Sequence, residues 1–439
     1  MKRHLHLFFI FLLSLANVLH AQVTNDSLLE SGTLENIIKY TLAHQPAIQK
    51  SLLDERITKS QVNTRLADWY PNIGYNYSFQ HNFQLQYASF QGQVIQLGNR
   101  NTSMQQFAYT QNILTPALVF AATTASDVKK ASTQVTTINK VQVVAQVSKA
   151  FYDVLLTQQQ IKVSEENITR LERSVKDARA QYQSGIVDKT DYQRATILLN
   201  NALALKKGNE EAVKAKVEYL KSVMGYPVKQ TLALIYDTAQ MEGAINYEAS
   251  GTVDYNNRPE YQLLQTQRQL QAGNVKYSKL AFLPSLQGFA AYNLNYLNDD
   301  AAKLYNTNYP NSYAGVTVAI PLVAGGKRWM NIRQAKWQLK KSDLDITGLE
   351  NNINAQYAQA LAAYNSSLAN YNAVKENLQL AQEVYNIIQL QYRSGVKTYL
   401  EVLIAESDLR TSQINYYNAL YQALSGKVDL QQAAGQLKY

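Results

Sequence analysis

The chain is poor in residues able to do covalent or metal chemistry. None of its 439 residues is cysteine. That excludes disulfides, thiolate metal sites, a cysteine nucleophile and lipidation on an N-terminal cysteine. Three of the five histidines, His4, His6 and His20, fall in an apolar N-terminal stretch. Only His44 and His81 remain, too few and too far apart for a metal site or a triad. Acid pairs such as Asp343/Asp345 and Asp299/Asp300 read as helix surface and loop. No P-loop, nucleophile elbow, zinc motif or dinucleotide glycine pattern occurs at a usable spacing. The charge is 42 − 33 = +9, but the basic residues are scattered among Glu and Asp, with no stripe interleaved with aromatics. They form solvated faces, not a nucleic-acid surface. The sequence predicts neither an enzyme nor a cofactor.

The polar chemistry that does recur is that of amides and phenols, and its spacing points to strands. From Tyr75 the odd positions run Tyr75, Tyr77, Phe79, His81, Phe83, Leu85, Tyr87. The even positions run Asn76, Ser78, Gln80, Asn82, Gln84, Gln86. Period-two alternation with aromatics on one face and amides on the other fits a transmembrane β-strand, lipid outside and water inside. Phe107 and Tyr109 continue it on a return strand. Further on, Leu286, Ala290, Tyr292, Leu294 and Tyr296 share one face, opposite Gln287, Asn293 and Asn295. Ala314, Val316, Val318 and Ile320 give a fourth apolar face. Polar loops are expected at Gly92 to Asn101 and from Asn298 to Asn311.

Helices fill the rest. Residues 117–226 and 322–439 contain no proline, so each stretch can be helical throughout, apart from one turn at Gln183–Ile186 or Arg393–Val396. Heptads run through Ile161, Ile168, Val175 and Tyr182, and through Tyr371, Leu378, Tyr385 and Tyr392, which implies left-handed coiled packing. The chain is also duplicated. Residues 181–225 align without gaps on 391–435 at an offset of 210, and Pro46 and Pro71 match Pro259 and Pro284 at an offset of 213. The expected organisation is a signal peptide at 1–21 and a first repeat at 22–226, with a helix, a β-hairpin about 72–112 and a helical hairpin about 117–224. A linker or equatorial segment follows at 227–258. The second repeat, 259–439, has a hairpin about 285–321 and a helical hairpin about 327–434. Four strands cannot close a barrel, and an open edge is not tolerated in lipid, so copies of the chain must share one.

Over nearly all its mature length the sequence resembles the TolC-type outer-membrane efflux family. The resemblance rests on the duplicated layout and the Tyr-x-Ser-Gly turns at 182–185 and 392–395. It rests also on Ala319-Ile320-Pro321-Leu322-Val323-Ala324-Gly325-Gly326 and on Glu401-Val402-Leu403. It implies a mainly α protein with a membrane β-barrel, in which a homotrimer shares twelve strands and a long coiled α-helical barrel. It implies a passive duct from the outer membrane of a Gram-negative bacterium through the periplasm, with a belt formed by segments near 22–45, 227–258 and the C-terminus. Partners would be a periplasmic adaptor, an inner-membrane transporter and outer-membrane lipid. The turns Ser184-Gly185 and Ser394-Gly395 would be the adaptor-docking tips. Thr190 and Asp191 match the family's outer gate positions, and Tyr392 and Lys397 the aromatic and basic inner ones, Lys standing where Arg is usual. Glu401 matches the first acid of a constriction ring. Ile404 stands where the second acid is expected, so three Glu401 side chains replace a six-acid ring. The competing reading is a periplasmic structural or tethering coiled-coil protein, which would stay in the aqueous fraction where a barrel needs detergent.

Overall fold

In a computed structural model, the described residues are 29, 31–235, 238–248 and 252–438. The expected signal peptide lies outside them. Among the described residues the first two helices are α1 (Leu34–His44) and α2 (Pro46–Ala67). Gln45 separates them in extended conformation, followed by proline at the first helical position, where its missing N–H costs nothing. Strand β1 (Asn72–His81) follows, then β2 (Gln86–Phe90), β3 (Gln93–Leu97) and β4 (Asn101–Leu114). The helical hairpin is α3 (Pro116–Gln183) with α4 (Lys189–Met224). After a short helix α5 (Thr238–Gly243) the plan repeats: α6 (Pro259–Leu280), β5 (Ser285–Asn298), β6 (Tyr309–Ala319), α7 (Lys327–Arg393) and α8 (Tyr399–Ala433).

Four strands form one antiparallel sheet in the order β1-β4-β5-β6. Its register puts Tyr75 opposite Phe107, Phe107 opposite Tyr292, and Gly288 opposite Val316. The aromatic and β-branched residues of these four strands that the alternation singles out therefore share one face, and that face is uncovered by the rest of the chain: Tyr75, Tyr77, Phe79, Phe107, Tyr292, Val316 and Val318 are all exposed. On the other face, Gly315 leaves room for Phe289, whose Cζ would lie 2.6 Å from any added Cβ. Strands β1 and β6 are the two edges.

The first strand is shorter than its alternation suggests. It stops at His81, and Phe83 and Leu85 lie in a bend. The Asn82 amide donates to the Arg100 carbonyl at 2.7 Å and its side chain to the Asn99 carbonyl at 2.9 Å. Residues 86–97, part of them expected as loop, form a separate hairpin that turns through Gln91 (φ 52) and Gly92 (φ 84), the left-handed pair a two-residue hairpin requires.

The main core lies midway along the helices. Ile37 and Ile48 from the N-terminal helices, Val147, Val154 and Leu155 of α3, Leu220 and Met224 of α4, Ile245, and Leu420 and Leu424 of α8 meet there. Two glycines close the repeats in the same way. Gly225 (φ 71) ends α4 against the α1–α2 junction, where a Cβ would approach Gln45 Cα to 2.9 Å, and Gly435 (φ 70) ends the second repeat against Asn257. The stretch after Gly225 is tied across the second helical hairpin. The Tyr364 hydroxyl donates to the Ile245 carbonyl at 2.9 Å and accepts from the Tyr247 amide at 3.0 Å. Glu242 accepts from Lys375 at 2.6 Å and from the Tyr416 hydroxyl. Burial alone would raise the Glu242 carboxyl, yet the Lys375 and Tyr416 donors hold it below the ordinary range.

Candidate functional site

The ends of the two helical hairpins, far from the sheet, are built alike. Gly185 (φ 72) donates to the Tyr182 carbonyl at 3.0 Å, and Ile186 to Gln181 at 2.9 Å. Gly395 (φ 75) donates to Tyr392 at 3.0 Å, and Val396 to Gln391 at 2.9 Å. This paired bonding past a left-handed glycine satisfies the last carbonyls of α3 and α7. Ser184 and Ser394 cap back onto the Ala180 and Leu390 carbonyls. The residue after each glycine is apolar and free: Ile186 is 72% exposed and Val396 71%.

The next helix starts differently in the two hairpins. Asp188 caps α4 without a side-chain bond, and Thr190 and Asp191 occupy its first turn. At α8, Thr398 and Glu401 form a reciprocal capping box. The Thr398 amide and hydroxyl donate to Glu401 Oε2 at 2.9 and 3.0 Å. Lys397 Nζ donates to Glu401 Oε1 at 2.6 Å. That ammonium, then the Thr398 donors, hold the Glu401 carboxyl down at about 2. Ile404, one turn on, is exposed.

Within one chain, the residues grouped by resemblance are not all brought together. Tyr392 exchanges hydrogen bonds with the Gln181 amide, accepting from Nε2 at 3.0 Å and donating to Oε1 at 3.2 Å. Its ring lies 5.9 Å from that of Tyr399. Tyr392 and Tyr192 flank a small apolar cluster of Ala178, Ala195, Tyr399 and Leu403 that joins the two hairpins. Lys397 is engaged by Glu401 rather than by Thr190 or Asp191. Gln181 matches Gln391 in the repeat, but that match says nothing of its bond to Tyr392.

Higher up, the seam between α3 and α8 is a ladder of polar links: Lys149 to Asp429, Gln160 to Asn418 at 3.0 Å, and Arg170 to Glu406 at 3.2 Å. Glu406 is 2% exposed, and burial pushes its carboxyl up despite the Arg170 charge. Arg170 also lies 5.9 Å from the Tyr385 ring centre. Among the described residues no cluster of His, Asp or Glu could hold a metal, and no helix is long and apolar enough to cross a membrane.

Strands of this kind, joined to helical hairpins of this length, define a class of protein: outer-membrane channels built from a β-sheet and long α-helices. A family model described as outer membrane efflux protein matches residues 37–226 and 255–436. The chain belongs to that family; it is an outer-membrane efflux channel protein and not an enzyme. It is similar to the outer membrane protein TolC of Vibrio cholerae, 24% identical over 309 residues, 67% of this chain and 68% of that one. It is similar also to the outer membrane efflux protein BepC of Brucella suis, 25% identical over 291 residues, 66% and 62% of the two chains. The solved outer membrane protein VceC of Vibrio cholerae shares the fold, with a TM-score of 0.73 at 15% identity, over 92% of this chain and 96% of that one.

Proposed function

We propose that three copies of this chain form a passive, water-filled duct. It carries solutes outward from an inner-membrane transporter, which a periplasmic adaptor joins to the hairpin tips. The observation that carries this reading is a sheet with one aromatic face and two unpaired edges, continuous with two helical hairpins of about 100 Å at roughly 1.5 Å per residue. A sheet of that kind is stable in lipid only when other copies complete it. An isolated tether has no need of its aromatic face. The equally placed, exposed Ile186 and Val396 give each tip an apolar contact for the adaptor. Tyr392, Lys397, Thr190, Asp191 and Glu401 line the constriction where the tips converge, and the Tyr392 and Lys397 side chains restrain it.

The test is to purify the full chain in detergent, measure its mass corrected for bound detergent, and insert it into planar bilayers. The expected result is a trimer that conducts ions with no energy source. A stable monomer, or a trimer that never conducts, would overturn the duct.

A further inference from the structure

Two neighbouring recesses mark the junction of sheet and helices, and the function described above uses neither. The larger, about 620 Å³, lies between α2 and α3 immediately below the strands. It arises because α3 has unequal neighbours. Lower down, α2 is tied to α3: the Asn139 side chain donates to Ser51 Oγ at 2.7 Å, and the Ser132 hydroxyl to Thr58 Oγ1 at 3.3 Å. On its other side α3 is held tightly by α6. A Cβ added at Gly273 would lie 3.0 Å from Thr124 Cγ2, and the Phe120 and Tyr277 rings lie 5.0 Å apart. Above Thr58, α2 faces the small side chains Ala121 and Ala125 of α3, and the gap stays open. Its walls are apolar, with Val62, Leu118 and Val128 beside those alanines and the Phe120–Tyr277 pair at one side.

The smaller recess, about 370 Å³, adjoins the first and shares Asp68 and Asn112 with it. It is polar, lined also by Asn72, Thr110 and Gln287. The shared wall is fixed: Asn112 Nδ2 donates to the Asp68 carbonyl at 3.2 Å, and Gln111 Nε2 to the Trp69 carbonyl at 3.3 Å. Asn72, Thr110 and Gln287 alternate with the aromatic positions of their strands, so they lie on the face opposite Phe107 and Tyr292. In the duct proposed above, that face lines the lumen. The Asp68 side chain is exposed and makes no ion pair among the described residues. Arg65 lines the apolar recess, and no basic residue lines the polar one.

The duplication shows that packing alone does not demand this arrangement. Helices α3 and α7 end alike at Gln183 and Arg393, so Leu118, Ala121 and Val128 correspond to Arg328, Asn331 and Gln338 at the offset of 210. At the offset of 213, Asp68 corresponds to Ala281. The second repeat thus carries polar side chains where the first has an apolar wall, and a methyl group where the first has a carboxylate. Resting on the duct reading, we propose that the double recess binds small amphipathic cations inside the duct. An apolar, ring-bearing body enters the larger recess against Tyr277, and its ammonium group lies in the smaller one beside Asp68. The larger recess falls within the range of about 300–1,000 Å³ usual for small-molecule sites, and apolar walls with a few polar groups at one end are the usual lining. Release of water from the walls supplies attraction for any apolar body, and the carboxylate selects the sign of charge. A neutral or anionic solute of the same shape gains the first without the second.

The probe is (2-naphthylmethyl)trimethylammonium, titrated by fluorescence anisotropy against the full-length, detergent-purified protein, with detergent alone as the blank. Naphthalene-2-sulfonate, with the same ring and the opposite charge, is its companion. The expected result is saturable binding of the ammonium probe and weaker binding of the sulfonate. Asp68→Asn should weaken the ammonium probe about fivefold, the effect of one exposed charge pair. Asp54→Asn, at another exposed acid about four turns lower on the same helix, should leave it unchanged. Ala121→Asn with Val128→Gln writes into the first repeat the residues that the second already carries, and should abolish binding of the ammonium probe. Mass and single-channel conductance are measured on the same preparations. A conducting trimer overturns the site and leaves the duct standing in any of three cases: it binds no probe saturably, it binds the sulfonate as tightly as the ammonium, or its binding survives Asp68→Asn or the Ala121→Asn/Val128→Gln pair intact. A stable monomer overturns the duct, and with it a site inside one.

Discussion

The charges at the hairpin ends are arranged so that single substitutions have opposite signs. Each Glu401 carries its own Lys397 at 2.6 Å, so a ring of three such pairs is close to neutral. Lys397→Ser removes the masking charge, and Glu401→Gln removes the acid while leaving an amide able to bond the cap. Acid rings concentrate cations in a pore. Lys397→Ser should therefore raise cation preference in planar bilayers, and Glu401→Gln should lower it and weaken block by multivalent cations. Adding Tyr392→Phe to Lys397→Ser also breaks the bonds to Gln181, so the double variant should raise single-channel conductance. If selectivity and conductance both stay at the unaltered protein's values, the constriction lies elsewhere. A second residue-scale contact answers to pH. Arg170→Met keeps the aliphatic stem but strands the buried Glu406, and breaking a buried pair costs about 3 kcal/mol. Burial has already raised the Glu406 carboxyl, so the folded state gains its proton first, and the stability lost through it returns as pH falls toward the ordinary carboxylate range. Thermal melts should show a gap between the variant and the unaltered protein at pH near 7.5 that narrows near 5.5. A gap independent of pH would refute the assignment.

At the scale of elements, the two glycine turns are the points where sequence leaves the backbone no alternative. Gly185 and Gly395 hold φ of 72° and 75° with open space around them. A β-branched residue there meets no clash but pays about 1–2 kcal/mol for the left-handed backbone. Gly185→Val or Gly395→Val should therefore deform the tip while sparing assembly: the trimer survives by mass, and adaptor binding and export fall. Normal adaptor binding by both variants would remove the tips from the docking surface. These turns were legible in the sequence because glycine, helix length and duplication all mark them, and the sheet was legible because Tyr75, Phe107 and Tyr292 keep a strict period of two. What stayed hidden lacks a period. The bend at Asn82 depends on carbonyls of residues 99 and 100, while the alternation runs on through Tyr87 undisturbed. Gln181, Arg170 and Glu406 find their partners across helices far apart in sequence, where an amide or a charge looks like any other surface position.

The whole molecule follows from putting these lengths end to end. Helix α3 has 68 residues, about 100 Å at roughly 1.5 Å per residue. The longest strands have 14 residues, about 48 Å along the strand at roughly 3.4 Å per residue. Tilted by about 40°, as barrel strands are, they add about 36 Å of height. The core lies midway along the helices and not at either end, so nothing in the fold draws the tips back toward the sheet. The α3–α8 seam combines the apolar core at its middle with polar links along its length, and the amides along the helices stay open on either side of it. Helices of that kind cannot collapse into a globule without stranding their amides. The assembly should therefore appear in electron micrographs as a particle about 135 Å long, with the detergent belt at one end, over the aromatic face of the strands. A particle much shorter than about 100 Å, or one with detergent around its middle, would mean that the helical hairpins fold back on the sheet, and the trans-periplasmic duct would have to be given up even if the protein proved to be a trimer.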